Sequence, residues 1–84
     1  MTDQERLELE RLWGVVQEAE KERNESAVRL AQSLLHTASS GLTPARRWRF
    51  IQADLEDFEE DNRLYKNASS AYLDAFEATR PGAM

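Results

Sequence analysis

Several residue types are scarce in this 84-residue sequence, which has no cysteine, one histidine, three glycines and two prolines. Without cysteine a disulfide is excluded, and the single imidazole of His36 gives no basis for a metal site. No segment approaches the ~18 consecutive apolar residues that a membrane span requires. Valine and isoleucine occur only four times together, so strand signals are missing. These absences predict an all-α protein with no metal and no cofactor.

The charge and the length of the chain further restrict the class of protein. The formal net charge is −5, which argues against broad, non-specific binding of nucleic acid. Residues 1–5 are acidic and lack the basic region and apolar run of a secretory signal, so we expect a cytoplasmic protein. A single domain over residues 1–84 is small enough for its core to be marginal. Association of two or more copies is the remaining common way to stabilise so small a fold.

The first half of the chain predicts one long helix over about residues 3–38. Thr2 and Glu5 have the spacing of a capping box, in which each side chain bonds the backbone N–H of the other residue. Apolar residues then recur on an alternating spacing of four and three, which is typical of a helix that packs along one stripe. The stripe consists of Leu9, Trp13, Val16, Ala27, Leu30 and Leu34, and it turns polar at Glu20 and Arg23.

The predicted loop covers residues 39–43. Gly41 can adopt the left-handed conformation that ends many helices. Thr43 is a favourable N-cap, and Pro44 suits the first helical position, where its missing N–H is not needed. A second helix is therefore predicted over about residues 44–79.

The second helix carries a longer stripe with the same alternating spacing, which predicts a coiled-coil-like antiparallel hairpin. Folding the chain about its loop pairs Trp13 with Ala68 and Leu30 with Ile51. Asn62 occupies a core position, where a buried amide can specify register or oligomeric state. The residues that we expect to form the oligomer seam are Trp13, Ile51, Leu55, Phe58, Asn62, Tyr65 and Tyr72. We expect two such hairpins to form a four-helix bundle by dimerisation.

Two alternatives to an unbroken hairpin remain open at this point. Residues 24–26 could break the first helix, and residues 67–70 could break the second, which would give three or four shorter helices. Neither stretch contains glycine or proline, and the apolar period continues through both.

The segment Arg46, Arg47, Trp48, Arg49 and Phe50 is the strongest candidate for partner binding. Its three arginines lie in the first turns of a helix, where the helix dipole disfavours cations. The positions four residues later hold Phe50, Ile51 and Ala53, so no acid is placed to compensate them. An acidic protein that leaves such a cluster uncompensated is expected to neutralise it with a partner.

Two further features have ordinary structural interpretations. His36 lies in the last turn of the first helix, where a protonated imidazole suits the dipole. The acidic run of residues 56–61 fits a solvated helix face, because no Glu-x-x-His motif accompanies it. With no convergent acid, base and nucleophile in view, we do not expect an enzyme.

Two functions from different classes follow. The first is a protein–protein interaction module, such as an adaptor, assembly factor, chaperone or inhibitor, whose partner is another protein or a second copy of the chain, most simply as a homodimer. The exposed apolar residues expected to support it are Leu7, Val15, Val28, Leu64 and Leu73. The alternative is a nucleic-acid-binding regulatory hairpin that uses Arg46, Arg47 and Arg49 with Trp48.

Overall fold

In the computed structural model, which describes residues 1–80, helix α1 spans Asp3–Ala38. Its start is fixed locally by the predicted capping box. The backbone N–H of Glu5 donates to the Thr2 hydroxyl at 3.1 Å, and the N–H of Thr2 donates to the Glu5 carboxylate at 3.1 Å. The helix continues through Asn24 without a break. The alternative in which residues 24–26 divide this helix is therefore wrong.

A short loop joins α1 to helix α2, which spans Pro44–Ala78. Gly41 has a φ of +73°, a conformation that costs glycine little because it has no Cβ. The Thr43 hydroxyl then accepts a hydrogen bond from the Arg46 N–H at 3.3 Å, which caps α2. This helix continues through Asn67, so the second alternative is also wrong. Residues 81–84, which the predicted domain includes, lie outside the described residues.

The two helices pack side by side as a rod of 60 × 20 × 14 Å. Trp13 meets Tyr72 near one end of the rod, and His36 meets Phe50 near the other, so the helices run antiparallel. No strand occurs within residues 1–80. The predicted all-α, two-helix hairpin is confirmed.

The pairing register of the two helices differs from the predicted one. Trp13 packs against Tyr72, four residues further along α2 than the predicted Ala68. The physical reason lies at the loop. α1 extends only two residues past His36, whereas α2 begins six residues before Phe50, the aromatic partner of His36. The first turn of α2 therefore projects beyond the end of α1, by about 6 Å at 1.5 Å per residue.

The seam of α1 is also rotated by one residue over part of its length. Trp13 and Leu34, predicted in the stripe, remain 46% and 42% exposed, while their neighbours Leu12 and Ser33 turn inward. Small residues explain this choice, because Ala19 and Ser26 continue the inward row. They leave room for aromatic rings on the facing helix. On α2, the predicted seam residues Ile51, Leu55, Phe58, Asn62, Tyr65 and Tyr72 are half-buried.

Candidate interaction surfaces

The interior between the helices contains little apolar material. Val16 is the only buried apolar residue among residues 1–80, at 4% exposure. The other two buried residues are Ser26 and Thr37, whose hydroxyls donate to carbonyl oxygens of their own helix at 3.0 and 2.9 Å. Their hydrogen bonds are satisfied, but burying them adds little hydrophobic stabilisation. The hairpin therefore holds together with a small core.

Polar contacts between the two helices partly compensate for the small apolar core. The Ser33 hydroxyl donates to the Asp54 carboxylate on the facing helix. The guanidinium of Arg23 lies 4.2 Å from the centroid of the Tyr65 ring, in a cation–π arrangement. The apolar pattern gave no signal for either contact, because Ser33, Asp54 and Arg23 interrupt it. Such directional contacts fix the register of the hairpin more than they add to its apolar burial.

One side of the hairpin presents a row of large apolar side chains. Trp13, Leu34, Trp48 and Phe76 each follow directly after an inward-facing residue. In an antiparallel pair, positions of this kind on both helices fall on the same side of the seam. We call this surface the aromatic side face. Its members are Trp13, Ala27, Leu34, Trp48, Leu55 and Phe76.

The aromatic side face joins the two helices at the open end of the hairpin, opposite the loop. The Trp13 and Tyr72 ring centroids are 5.2 Å apart, and those of Tyr72 and Phe76 are 6.3 Å apart. At the loop end, Leu34 and Trp48 are 42% and 50% exposed. Both tryptophans of the chain belong to this face. The rings are thus packed together but incompletely covered.

The opposite side of the hairpin is more charged. The equivalent positions there hold the exposed apolar residues Val15, Phe50 and Leu64. They are interspersed with four charged side chains, Glu8, Glu22, Arg29 and Asp57. On the aromatic side face the corresponding positions hold only two, Arg6 and Glu20. Because burying charges without partners is costly, the aromatic side face is the better surface to cover.

A groove of about 360 Å³ lies on that charged side, near the loop. The His36 and Phe50 rings pack in a tilted arrangement with centroids 5.8 Å apart, and the groove also includes Ser33, Asp54 and Arg29. The hydroxyl of Ser33 is bonded to the Asp54 carboxylate and not to the imidazole. The arrangement anchors the two helices to each other.

The predicted partner-binding segment sits at the start of α2. Four other arginines form ion pairs with acids three or four residues away, as in Arg6 with Glu10 at 3.3 Å and Arg80 with Glu77 at 3.0 Å. Within residues 1–80, no such pair forms at Arg46, Arg47 or Arg49. The sequence contains no acid between Glu25 and Asp54, which explains why.

The five residues of that segment do not share one surface. Arg47 turns toward the seam, and its Nε atom is buried with no hydrogen-bond partner among the described residues. Arg46 and Arg49 point outward and are exposed. Trp48 and Phe50 are two residues apart and therefore lie on opposite sides of the helix. The structure brings Trp48 together with the aromatic side face and Phe50 together with His36.

The acidic run of α2 is partly neutralised within its own helix. The Nε of Arg63 donates to the Glu60 carboxylate at 3.0 Å, and this hydrogen bond lowers the pKa of Glu60. Asp61 is half-buried beside the seam, while Glu56, Asp57 and Glu59 are exposed. Across residues 1–80, no three acidic or histidine side chains converge closely enough to hold a metal ion.

The other exposed apolar residues singled out in the sequence are dispersed. Leu7 and Val28 are 58% and 56% exposed and lie on the outer surface of α1. Val15 and Leu64 lie on the charged side, and Leu73 lies on the outer part of α2. They do not combine into one flank. Trp13, Leu34, Trp48 and Phe76 instead share one side of the hairpin, the aromatic side face.

Within residues 1–80, neither of the two helices is long and apolar enough to cross a membrane. Searches of protein-family models, of curated proteins and of solved structures give no match to the chain.

Proposed function

We propose that this hairpin is a helical protein–protein interaction module whose aromatic side face is covered by helices of a partner. One observation carries the proposal. Within residues 1–80 a single apolar side chain is buried, while twelve large apolar residues are at least 41% exposed. Long helices are stable in water mainly when an apolar stripe is covered. As an adaptor, an assembly factor, a chaperone or an inhibitor, the hairpin would bind a partner that supplies such a covering helix.

The shape and composition of the surface support this function. The rod is 60 Å long and 20 Å across at its wider section, so a partner helix can lie along its whole length. Tryptophan is among the residues most often found at energetically dominant interface positions. Trp13 and Trp48 lie toward opposite ends of the face. A partner that covers both would therefore contact most of the length of the rod.

Site-specific photo-crosslinking in cells tests the proposal. A photoreactive amino acid at position 34 or 76 lies on the aromatic side face and is expected to form a protein adduct. The same amino acid at Leu7 or Leu35, which are 58% and 74% exposed on the outer surface of α1, is the matched control. Protein adducts confined to positions 34 and 76 support the proposal. Adducts with nucleic acid only, or no protein adduct at any of the four positions, contradict it.

A second candidate function is binding of single-stranded nucleic acid at the loop end. The supporting observation is that Arg49 is exposed without an acid partner next to the half-exposed ring of Trp48, while Arg46 is exposed on the Phe50 side of the helix. Arginine with an exposed aromatic is a composition suited to phosphate contact and base stacking. The net charge of −5 and the separation of Trp48 from Phe50 weigh against it.

Fluorescence anisotropy with a labelled single-stranded RNA decides this second candidate. Binding should weaken as salt rises, because counterions are released when phosphates are neutralised. The variant R46E/R49E should abolish such binding, whereas R6E/R11E, which changes two arginines far from the loop, should not. Equal behaviour of the two variants, or no binding by the unmodified protein, removes the candidate.

A further inference from the structure

The charges of the hairpin are separated along its length. Residues 26–53 contain four arginines, Arg29, Arg46, Arg47 and Arg49, and no acid. All sixteen acids lie in the rest of the chain, together with the other seven of its eleven basic residues. Because α1 and α2 are antiparallel, residues 26–53 form the loop end of the rod. The loop end is basic, and the middle and open end are acidic.

We infer that the occupant of the aromatic side face is a second copy of this chain, packed antiparallel. This inference rests on the proposed function and names its partner. A parallel pair would place the two basic loop ends together, and like charges in contact disfavour association. An antiparallel pair brings each loop end against the other copy's open end. The acids there include Asp3, Glu5, Glu10 and Glu77, whereas Glu8 lies on the charged side. Glu10 and Glu77 also pair with arginines of their own helices, but residues 1–13 and 70–80 hold six acids and three arginines, so the open end keeps a net negative charge.

The apolar pattern of the face is consistent with this reversal. Trp13 and Phe76 lie near the open end, and Leu34 and Trp48 lie near the loop end. Between them lie the polar residues Glu20, Asn62 and Ser69, and then Ala27 and Leu55 toward the loop end. Rotating one rod end for end brings the open-end aromatics of one copy onto the loop-end apolar pair of the other. Apolar surface is then covered by apolar surface at both ends of the dimer.

The polar centre gives the pairing a defined register. Glu20 and Asn62 are half-buried near the middle of the rod, on the same side as the aromatic side face. In an antiparallel dimer these residues lie close to the two-fold axis and face the polar centre of the other copy. A polar residue at such a position selects one register and one oligomeric state at some loss of stability. This agrees with the role predicted for Asn62.

Sedimentation equilibrium of charge-reversed variants tests the antiparallel orientation of the dimer. The unmodified protein should dimerise, and R46E/R49E should raise the dissociation constant about tenfold, since each exposed charge pair contributes a fraction of a kcal/mol. Adding E10K and E77K to the same chain removes two acids that would repel the new glutamates of the other copy and places lysines there instead. The fourfold variant should therefore recover most of the lost affinity. Failure to recover would overturn the antiparallel orientation.

Thiol crosslinking reports the orientation directly, since the chain has no cysteine of its own. L34C mixed with R6C should give a crosslinked dimer with a short bifunctional maleimide, because Leu34 and Arg6 share the face at opposite ends. L35C mixed with R6C is the matched control and should give little product. Crosslinking of L34C to W48C instead indicates a parallel pair and overturns the inference.

Sedimentation equilibrium and photo-crosslinking in cells together distinguish a wrong partner from a wrong function. A monomer at every concentration in sedimentation equilibrium overturns the second copy as partner. If positions 34 and 76 still capture a different protein in cells, the interaction function stands and only its partner changes. If they capture no protein, both fail.

Discussion

At the scale of single residues, Val16 is the side chain whose packing contributes most clearly to the hairpin. It is 4% exposed, whereas Val28 on the same helix is 56% exposed. The two positions allow the same substitution in two environments. We expect V16A to lower the free energy of unfolding by about 2 kcal/mol, from lost burial and the cavity that remains.

Val28 provides the matched control for this change. V28A should alter stability by less than about 0.5 kcal/mol, because little burial is lost and alanine is a good helix former. Urea denaturation followed by circular dichroism measures both. Equal losses at the two positions would show that Val16 is not buried in solution.

Glu5 makes a pH-dependent contribution to the stability of α1. Hydrogen bonds from the backbone and side chain of Thr2 lower the pKa of Glu5 below its ordinary value. A carboxylate with a lowered folded-state pKa stabilises the fold above its unfolded-state pKa, about 4.3, and loses this effect as the pH falls through the folded-state value. The difference in melting temperature between wild type and E5Q should therefore be present at pH 7 and shrink below about pH 4.

The measurement needs a control on the same helix for general effects of acid. Glu18 is exposed, and no hydrogen bond to its side chain forms within residues 1–80. E18Q serves as that control, because it removes a carboxylate that lies outside the capping box. If E5Q and E18Q behave alike across this pH range, the capping box does not form in solution.

At the scale of the helices, the glycines have opposite expected effects. Gly14 lies inside α1, and a Cβ placed there meets no atom within 4 Å. G14A should stabilise the protein by about 1 kcal/mol, because alanine favours the helix. Gly41 has a φ of +73° in the loop. G41A should destabilise by about 1 kcal/mol, because a Cβ disfavours that conformation.

Thermal unfolding of G14A and G41A, followed by circular dichroism, checks both signs at once. Opposite shifts in melting temperature are expected. A loss of stability in G14A would indicate that a partner approaches α1 closely at Gly14. A neutral G41A would contradict the loop conformation.

At the scale of the whole molecule, stability should depend on protein concentration. Association of folded copies stabilises the folded state by mass action, so the melting temperature should rise as the protein is concentrated. Both tryptophans lie on the aromatic side face at 46% and 50% exposure, and their emission should shift to shorter wavelength as they become covered.

The variant L34S/F76S should lose both effects, because it alters that face without changing either tryptophan. L7S/L35S, which changes exposed leucines on the outer surface of α1, should keep them. A melting temperature and an emission maximum that are independent of concentration in the unmodified protein would contradict self-association.

The position where each helix begins could be predicted from the sequence by itself. A cap is made by residues within three or four positions of each other, so Thr2 with Glu5, and Thr43 with Pro44, carry the whole signal. The left-handed Gly41 is likewise a local requirement. The net charge and the absence of any acid between Glu25 and Asp54 were also fixed before folding. Local interactions of this kind do not depend on which surfaces later meet.

The choice of surfaces was decided only by the tertiary structure. On α1, two stripes one residue apart both carry apolar side chains, and periodicity alone does not rank them. Packing against α2 turned Leu12 and Ser33 inward and left Trp13 and Leu34 on the aromatic side face. The overhang of α2 past the loop set the register that brings Trp13 to Tyr72. Both outcomes depend on how two long helices fit each other, which is a non-local competition between nearly equivalent arrangements.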